Sequence, residues 1–314
     1  MNGRALQQKA FAKINLALDI LGRRQDGYHE VRMVMQQLEL CDILEMQTAS
    51  ESVMELVIED RRGSGPGTAP GEISAGPDNL VCRAAALLLE YCGRRDGISF
   101  RLVKRIPSEA GLGGGSADAA AAMLGLNELL SLGCSREELC RLGAKAGADV
   151  PFCILGGTAL AEGIGEILTP LETAVTESVP RGFQPGKYVL LAKPARGLST
   201  PVMFRAVDDI PGEKCLHPDV CGMWKALQEG EETYLRFAGN TFEAPATQRI
   251  PEIGRIREQM LASGAAAACM SGSGPTVFGI FPDRKELLQA EEALRPMLEK
   301  GELSDLIVTG FRVQ

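Results

Sequence analysis

The sequence predicts an α+β fold in two domains. Strand and helix patterns are intermixed along its 314 residues without the strand-helix-strand rhythm of a doubly wound sheet. The earliest strand patterns follow one another closely enough to pair as a mostly antiparallel sheet. The length also allows two cores of ordinary size, and the first domain is expected over residues 1–165 and the second over 166–314.

From Ala10 to Ile20 the chain alternates, with Ala10, Ala12, Ile14, Leu16, Leu18 and Ile20 on one face and Phe11, Lys13, Asn15, Ala17 and Asp19 on the other. That is the period of a strand with one buried face. Lys13 and Asn15 then project side by side, on a solvated face or into a site. Gly22 to Gly27 reads as a turn, and Tyr28-His29 opens a second strand, His29 to Leu40. A histidine at a strand start is commonly packed or solvated. The position of His29 beside an aromatic, across one turn from the Lys13 strand, favours a site. Asp42 to Thr48 and Val53 to Glu59 are further strands, and Arg61 to Gly76, rich in Gly, Pro and Ser, is a surface loop. Asp78 to Cys92 keeps Leu80, Ala84, Leu87, Leu88 and Tyr91 on one helical face, with Gly93 at its stop and Asn79 at its start, free to cap or to touch a ligand.

Ile98 to Lys104 is a strand that feeds the most informative stretch, Lys104-Arg-Ile-Pro-Ser-Glu-Ala-Gly-Leu-Gly-Gly-Gly-Ser-Ala-Asp118. Four glycines, Gly111 and Gly113 to Gly115, precede a helix expected from Ser116 to Leu132, with Gly133 as its stop. A helix start leaves N–H groups unpaired and carries the positive end of the macrodipole, and glycines let that backbone close on an anion. The order strand, glycine loop, helix therefore describes a phosphate cradle or, more plainly, a flexible turn. Without Gly-Lys-Ser or Gly-Lys-Thr it is not the P-loop of nucleotide triphosphatases. It is not a dinucleotide fingerprint either, because a second helix rather than a parallel strand comes next. Asp118, in the first turn, would repel a phosphate unless a metal ion compensated it.

Ser135-Arg136-Glu137-Glu138 is a capping box for a helix reaching Ala146. In Gly147-Ala148-Asp149-Val150-Pro151 the aspartate sits at a tight turn into the buried Phe152 to Leu155, as a helix cap or as a chemical group. Strands follow at Thr158 to Ala161, Gly163 to Leu171 and, past a polar loop over Ser178 to Gly186, Lys187 to Ala192. Pro201 to Ala206 is a short helix after Ser199-Thr200, with Phe204 on it as core or as ligand stack. Helices are expected over Asp219 to Gln228, Glu231 to Phe237, Pro251 to Ser263 and Asp283 to Leu298, and strands over Thr276 to Phe281 and Leu303 to Val313. Ser271-Gly272-Ser273-Gly274 is a second glycine-rich turn that either completes a pocket or joins elements.

A formal net charge of −8 argues against general affinity for nucleic acid or anionic membranes, so a polyanionic ligand has to meet a small local positive site. No apolar run has the length of a membrane span, Met1 to Lys9 has no apolar signal core, and the nine cysteines lack a Cys-x-x-Cys pair. A cytoplasmic protein with reduced thiols is expected. Cys215-x-His217-x-x-x-Cys221, with Asp219, lacks the paired spacing of a zinc site.

Four stretches, Ala12-Lys13-Ile14-Asn15-Leu16, Pro107 to Ala122, Gly147-Ala148-Asp149-Val150-Pro151 and Ser271-Gly272-Ser273-Gly274-Pro275, resemble in order and spacing the GHMP small-molecule kinase superfamily, named for galactose, homoserine, mevalonate and phosphomevalonate. Asp26-Gly27-Tyr28-His29 and Pro77-Asp78-Asn79-Leu80 resemble the branch acting on a cytidine-diphosphate-linked sugar alcohol in isoprenoid precursor synthesis. The resemblance implies a ribosomal-S5-like N-terminal domain, a ferredoxin-like C-terminal domain, ATP and Mg2+ as cofactors, and phosphorylation of the substrate's 2-hydroxyl. It implies Asp149 as catalytic base beside Lys13. Gly111, Leu112, Gly113, Gly114, Gly115 and Ser116 would cradle the phosphates, and Asn79, Leu80, Lys104 and Pro107 would line the nucleotide base and ribose region. Asn15, Tyr28, His29, Thr200 and Phe204 would face the substrate. A small-molecule partner and a monomer or weak homodimer are expected. Two serines usually end the family's loop, whereas Ala117 follows Ser116 here, which leaves Ser116 the one candidate toward Mg2+, and Glu109 adds a carboxylate near the phosphates. The other readings are a kinase of homoserine or of a mevalonate-like acid, and a non-catalytic nucleotide sensor.

Overall fold

The computed structural model describes residues 4–49, 53–63, 72–171 and 188–312. The loop expected over 178–186, and residues 64–71 of that expected over 61–76, lie outside them.

The first half runs β1 (Ala5–Arg23), β2 (His29–Ala49), β3 (Met54–Asp60), α1 (Leu80–Tyr91), β4 (Gly97–Lys104), α2 (Gly114–Leu129), α3 (Arg136–Ala146), α4 (Val150–Leu155), β5 (Thr158–Glu162) and β6 (Ile167–Pro170). β1 and β2 are antiparallel from Ala5 opposite Gln47 to Arg23 opposite His29. The two strands expected on either side of Cys41 are one, because a register shift between Phe11 and Lys13 bends the pair without breaking it. β4 pairs antiparallel with β2 and parallel with β3, a reversal made possible by the α1 crossover between them. The β5–β6 hairpin pairs with β2 and carries residues 167–170 with the first sheet, across the boundary expected at 165/166.

β1 has two buried faces where one was expected: every residue from Ala12 to Ile20 is buried. α2 covers the Gln8 to Lys13 end, and the second half of the chain covers the rest: Asn15 meets Ser271, Ala17 and Leu18 pair with Gly239 and Asn240, and Asp19 meets His217 and Thr241. Ala117, Ala119, Ala120, Ala121 and Ala122 are all nearly inaccessible, so α2 is small enough to lie close on β1. A Cβ on Gly125 would come within 2.3 Å of Met46 Cε, which shows how near helix and sheet approach. α2 begins at Gly114, two residues before the expected start, because Gly113 in the left-handed region (φ 68°, ψ 21°) forms its N-cap.

The second half runs β7 (Tyr188–Pro194), α5 (Thr200–Asp208), a 3-10 turn at Gly212–Lys214, α6 (Val220–Gln228), a 3-10 turn at Glu232–Phe237, β8 (Gly239–Asn240), α7 (Glu243–Arg249), α8 (Glu252–Ala262), β9 (Ala267–Met270), β10 (Val277–Phe281), α9 (Arg284–Glu299) and β11 (Leu303–Thr309). Its antiparallel sheet has the order β11-β7-β10-β9, the ferredoxin-like arrangement. β8, α7 and β9 carry no alternation or amphipathic stripe that sequence reading would find. β9 is Ala-Ala-Cys-Met, buried throughout.

The halves are sewn together twice. β8 pairs parallel with β1 at Ala17 and Leu18, and beyond β11 the chain returns to β2, where Phe311 bridges Leu38 and Arg312 N donates to Gln37 O at 2.9 Å.

Candidate active site

Three sequence-remote motifs meet on one serine. Ser271, fully buried, donates through Oγ to Gly111 O at 2.9 Å and accepts from Asn15 N at 3.3 Å. Lys13 N donates to Leu112 O at 3.0 Å, which ties β1 to the glycine loop a second time. Gly111 has to be glycine: its φ is +74° and a Cβ would stand 2.1 Å from Ser271 O. At Gly113 a Cβ would stand 2.9 Å from Lys13 Cγ, so the loop backbone rests on the aliphatic stem of that lysine. The second glycine turn is held by Asn240, whose Nδ2 donates to Met270 O at 2.7 Å and Gly272 O at 2.8 Å.

The buried ammonium of Lys13 lies 2.8 Å from Asn15 Oδ1 and 3.3 Å from Asp149 Oδ2. Asp149 occupies the N-cap position of α4 but makes no cap hydrogen bond, so its carboxylate is spent on the lysine and on solvent rather than on the helix. A cavity of about 560 Å³ between the domains exposes this pair. Its wall includes Gly111, Gly113 and Ser116 from the loop, Thr200 and Phe204 from α5, and Gly272 to Gly274. No side chain caps α2, so its first amides remain to meet an anion at the wall where Gly113 and Ser116 stand. Thr200 Oγ1 and Ser273 Oγ, 2.7 Å apart, join the two C-terminal edges of the cavity.

Several expected site residues are not in the wall of this cavity. Lys104 is turned away: its buried ammonium is clamped between Asp42 and Asp118, 2.6 Å from the latter. Burial opposes the charge of Lys104, yet the two carboxylates outweigh it and raise its pKa. Asp118 is therefore compensated by Lys104 inside the core and needs no metal ion. Burial pushes its carboxyl well above the usual range. Asn79 caps α1 through Val81 N at 2.9 Å and holds Ser74 O at 2.7 Å. Leu80 and Ile106 pack beneath Gly115 and Gly114 and support the loop from behind. Asn79, Leu80, Lys104, Pro107, Leu112, Gly114 and Gly115 are not in the cavity wall.

His29 stacks on Phe204 with centroids 4.4 Å apart, and its Nε2 donates to Asp208 Oδ1 at 2.7 Å. It therefore backs the Phe204 ring rather than lining the cavity, while Tyr28 is 61% exposed and outside the wall. Phe242, Met33, Val31 and Ile164, which the sequence did not single out, complete the apolar side. Glu109, at a positive φ of 50°, lines the cavity and reaches toward Gly197 of the second domain. His217 is bound to Asp19 at 2.8 Å and Cys221 faces Arg32, which separates the ligands a zinc site would need together.

Residues 79–157 match the family model of the GHMP kinases N terminal domain, and residues 225–300 match that of GHMP kinases C terminal. A 4-diphosphocytidyl-2-C-methyl-D-erythritol kinase of Geobacillus sp. (strain WCH70) is 41% identical over 91% of this chain and 92% of its own. One from Lachnospira eligens is 39% identical over 97% and 98%. The chain belongs to the 4-diphosphocytidyl-2-C-methyl-D-erythritol kinase family, within the GHMP kinases. A crystal structure of a 4-(cytidine 5'-diphospho)-2C-methyl-D-erythritol kinase superposes with a TM-score of 0.75 at 33% identity, over 98% of this chain and all of the other. A homoserine kinase from Cytophaga hutchinsonii, at 18% identity and a TM-score of 0.69, shares the GHMP fold. No helix among the described residues of this GHMP kinase is long and apolar enough to cross a membrane.

Proposed function

We propose that this kinase transfers the terminal phosphoryl group of ATP to the 2-hydroxyl of 4-diphosphocytidyl-2-C-methyl-D-erythritol, in the cytoplasm and as a monomer or weak homodimer. The observation that carries the reading is the 3.3 Å pair of Lys13 and Asp149 in one cavity with the uncapped start of α2. Phosphoryl transfer depends on positioning and on neutralising charge more than on covalent help. The uncapped start of α2, which reaches the cavity at Gly113 and Ser116, holds the phosphate chain, and the ammonium of Lys13 offsets charge on the transferred group. Asp149 accepts the hydroxyl proton as the substrate oxygen bonds to the terminal phosphorus and the bond to the ADP oxygen breaks.

Mg2+ bound with the nucleotide would neutralise phosphate charge, and Ser116 and Glu109 are two oxygen donors of the cavity wall beside the glycine loop that suit a hard cation. Phe204 offers the cytosine an aromatic face, Tyr28 a second one once it turns inward, and Asn15 and Thr200 polar groups for the sugar alcohol.

The test is ADP release with the cytidyl compound, homoserine, mevalonate and galactose as acceptors. Turnover is expected with the first alone. Turnover with an acid acceptor instead would reassign the substrate, and none at all with nucleotide bound would leave a sensor. Tyr28→Ala is expected to weaken the cytidyl substrate at least tenfold more than ATP, and equal losses would remove Tyr28 from the substrate side.

A further inference from the structure

A second cavity, about 410 Å³, opens on the other stretch of the same three elements that build the reaction site. β1 contributes Gln7 to Phe11 to it and Lys13 and Asn15 to the reaction site. α2 contributes Ala117, Ala121 and Leu124 here and Ser116 there, and α4 contributes its far end here while Asp149 stands at its start.

The charge of this wall is unusual for a chain of net charge −8. It holds three cations, Lys9, Arg136 and Arg312, and no carboxylate. None of the three is in an ion pair among the described residues, whereas nine arginines elsewhere are. Glu128, which accepts from Gln8 Nε2 at 3.3 Å, is outside the wall.

Arg312 is also fixed in place. Its guanidinium lies 3.5 Å from the centroid of the Phe11 ring, its N donates to Gln37 O at 2.9 Å, and its O accepts from Gln36 Nε2 at 3.3 Å. Gln37, 3% exposed, accepts at Oε1 from Gly157 N at 3.3 Å, which leaves its Nε2 donor with no hydrogen-bond partner among the described residues. The Gln37 amide in the wall and three cations with no carboxylate among them give the hollow a positive potential and hydrogen-bond donors that an anion would meet. A guanidinium held by stacking suits the oxygens of a phosphate.

We propose that this cavity is a second binding site, separate from the reaction site, for a small phosphorylated anion, held by Lys9, Arg136, Arg312 and the Gln37 amide.

The experiment titrates inorganic diphosphate calorimetrically into the intact protein, first alone and then saturated with a non-hydrolysable ATP analogue that fills the glycine loop. The expected result is one diphosphate site that survives the analogue. The double variant Lys9→Gln, Arg136→Gln is expected to weaken it about tenfold or more, with an unchanged unfolding temperature and basal turnover, since both side chains are exposed. Arg312→Gln should weaken it as well, and Asp149→Asn should not. Diphosphate binding abolished by the analogue, or equally tight in the double variant, would overturn the proposal. The variants locate the site whether or not the analogue occupies the loop, so the result is independent of the kinase reading.

Discussion

Ser271 and Gly111 show how much of this site rests on single atoms. The Ser271 hydroxyl serves Gly111 O and Asn15 N at once, and the second of these bonds is buried. Ser271→Ala leaves one buried donor and one half-buried acceptor unmet, and an expected loss of ~1–3 kcal/mol follows. Urea titration checks it, and a loss under ~0.5 kcal/mol would mean that water replaces the hydroxyl. Gly111→Ala has a built-in control in Gly133→Ala. Both glycines have φ above +70°, but a Cβ on Gly133 meets nothing within 4 Å, whereas one on Gly111 meets backbone at 2.1 Å. Gly133→Ala is expected to cost ~1 kcal/mol of left-handed strain and to leave turnover intact. Gly111→Ala should cost more than twice that and lower activity, because the two glycine turns must separate. For Asp149→Asn the expected loss in kcat is at least ~10²-fold, with ATP affinity within a few-fold of the parent. Equilibrium dialysis beside the ADP assay measures both, and parent-like kcat would remove the aspartate as base.

At the scale of elements, α2 is placed by a buried charge cluster rather than by its surface. Asp42, Lys104 and Asp118 put two carboxylates and one ammonium in the core, and Asp118 Oδ1 has no hydrogen-bond partner among the described residues. Such a cluster favours retaining one proton, and burial is the main cause of the raised Asp118 pKa. A carboxyl whose native pKa lies above its unfolded value near 3.8 binds its proton more tightly in the folded state. Its contribution is fully present below that value and is lost as pH rises through the native pKa. The stability advantage of the parent over Asp118→Asn should therefore shrink from pH 4 upward. Chemical denaturation at a series of pH values reports it, and an advantage that grows with pH would mean that Asp118 is ionised in the core. Lys104→Met, which strands both carboxylates, is expected to cost ~3–5 kcal/mol.

At the scale of the whole molecule, the cavity lies between two seams. On one, β8 pairs with β1 and Asn240 holds the second glycine turn; on the other, residues 309–312 bind β2 through Thr309 Oγ1, Gly310 O and Arg312 N. Domains joined by backbone hydrogen bonds at both ends are expected to unfold together. Calorimetry should give one transition, and two separable transitions would show that the seams are weak. Asn240→Ala, which releases three buried hydrogen bonds, should lower that transition and raise KM for both ligands.

Local pattern was enough for much of this. The period of two in β1, the glycines before α2, the Ser135 capping box and the order of four motifs are properties of neighbouring residues, and they pointed to the fold class and to Lys13, Asp149 and Ser116, which the structure brings to one cavity. The sequence could not tell that Lys104 is drawn inward, that His29 backs Phe204, or that Asn79 is a cap, because each depends on a partner far along the chain: Asp42, Phe204 and Asp208 for the first two. Even Asn79, whose cap is local, could be separated from ligand contact only by where its side chain came to rest. Hydrophobic periodicity records which side of an element is buried. It does not record what the buried polar groups meet there, and that pairing, with the cations it leaves over around the second cavity, is decided only when distant elements close on one another.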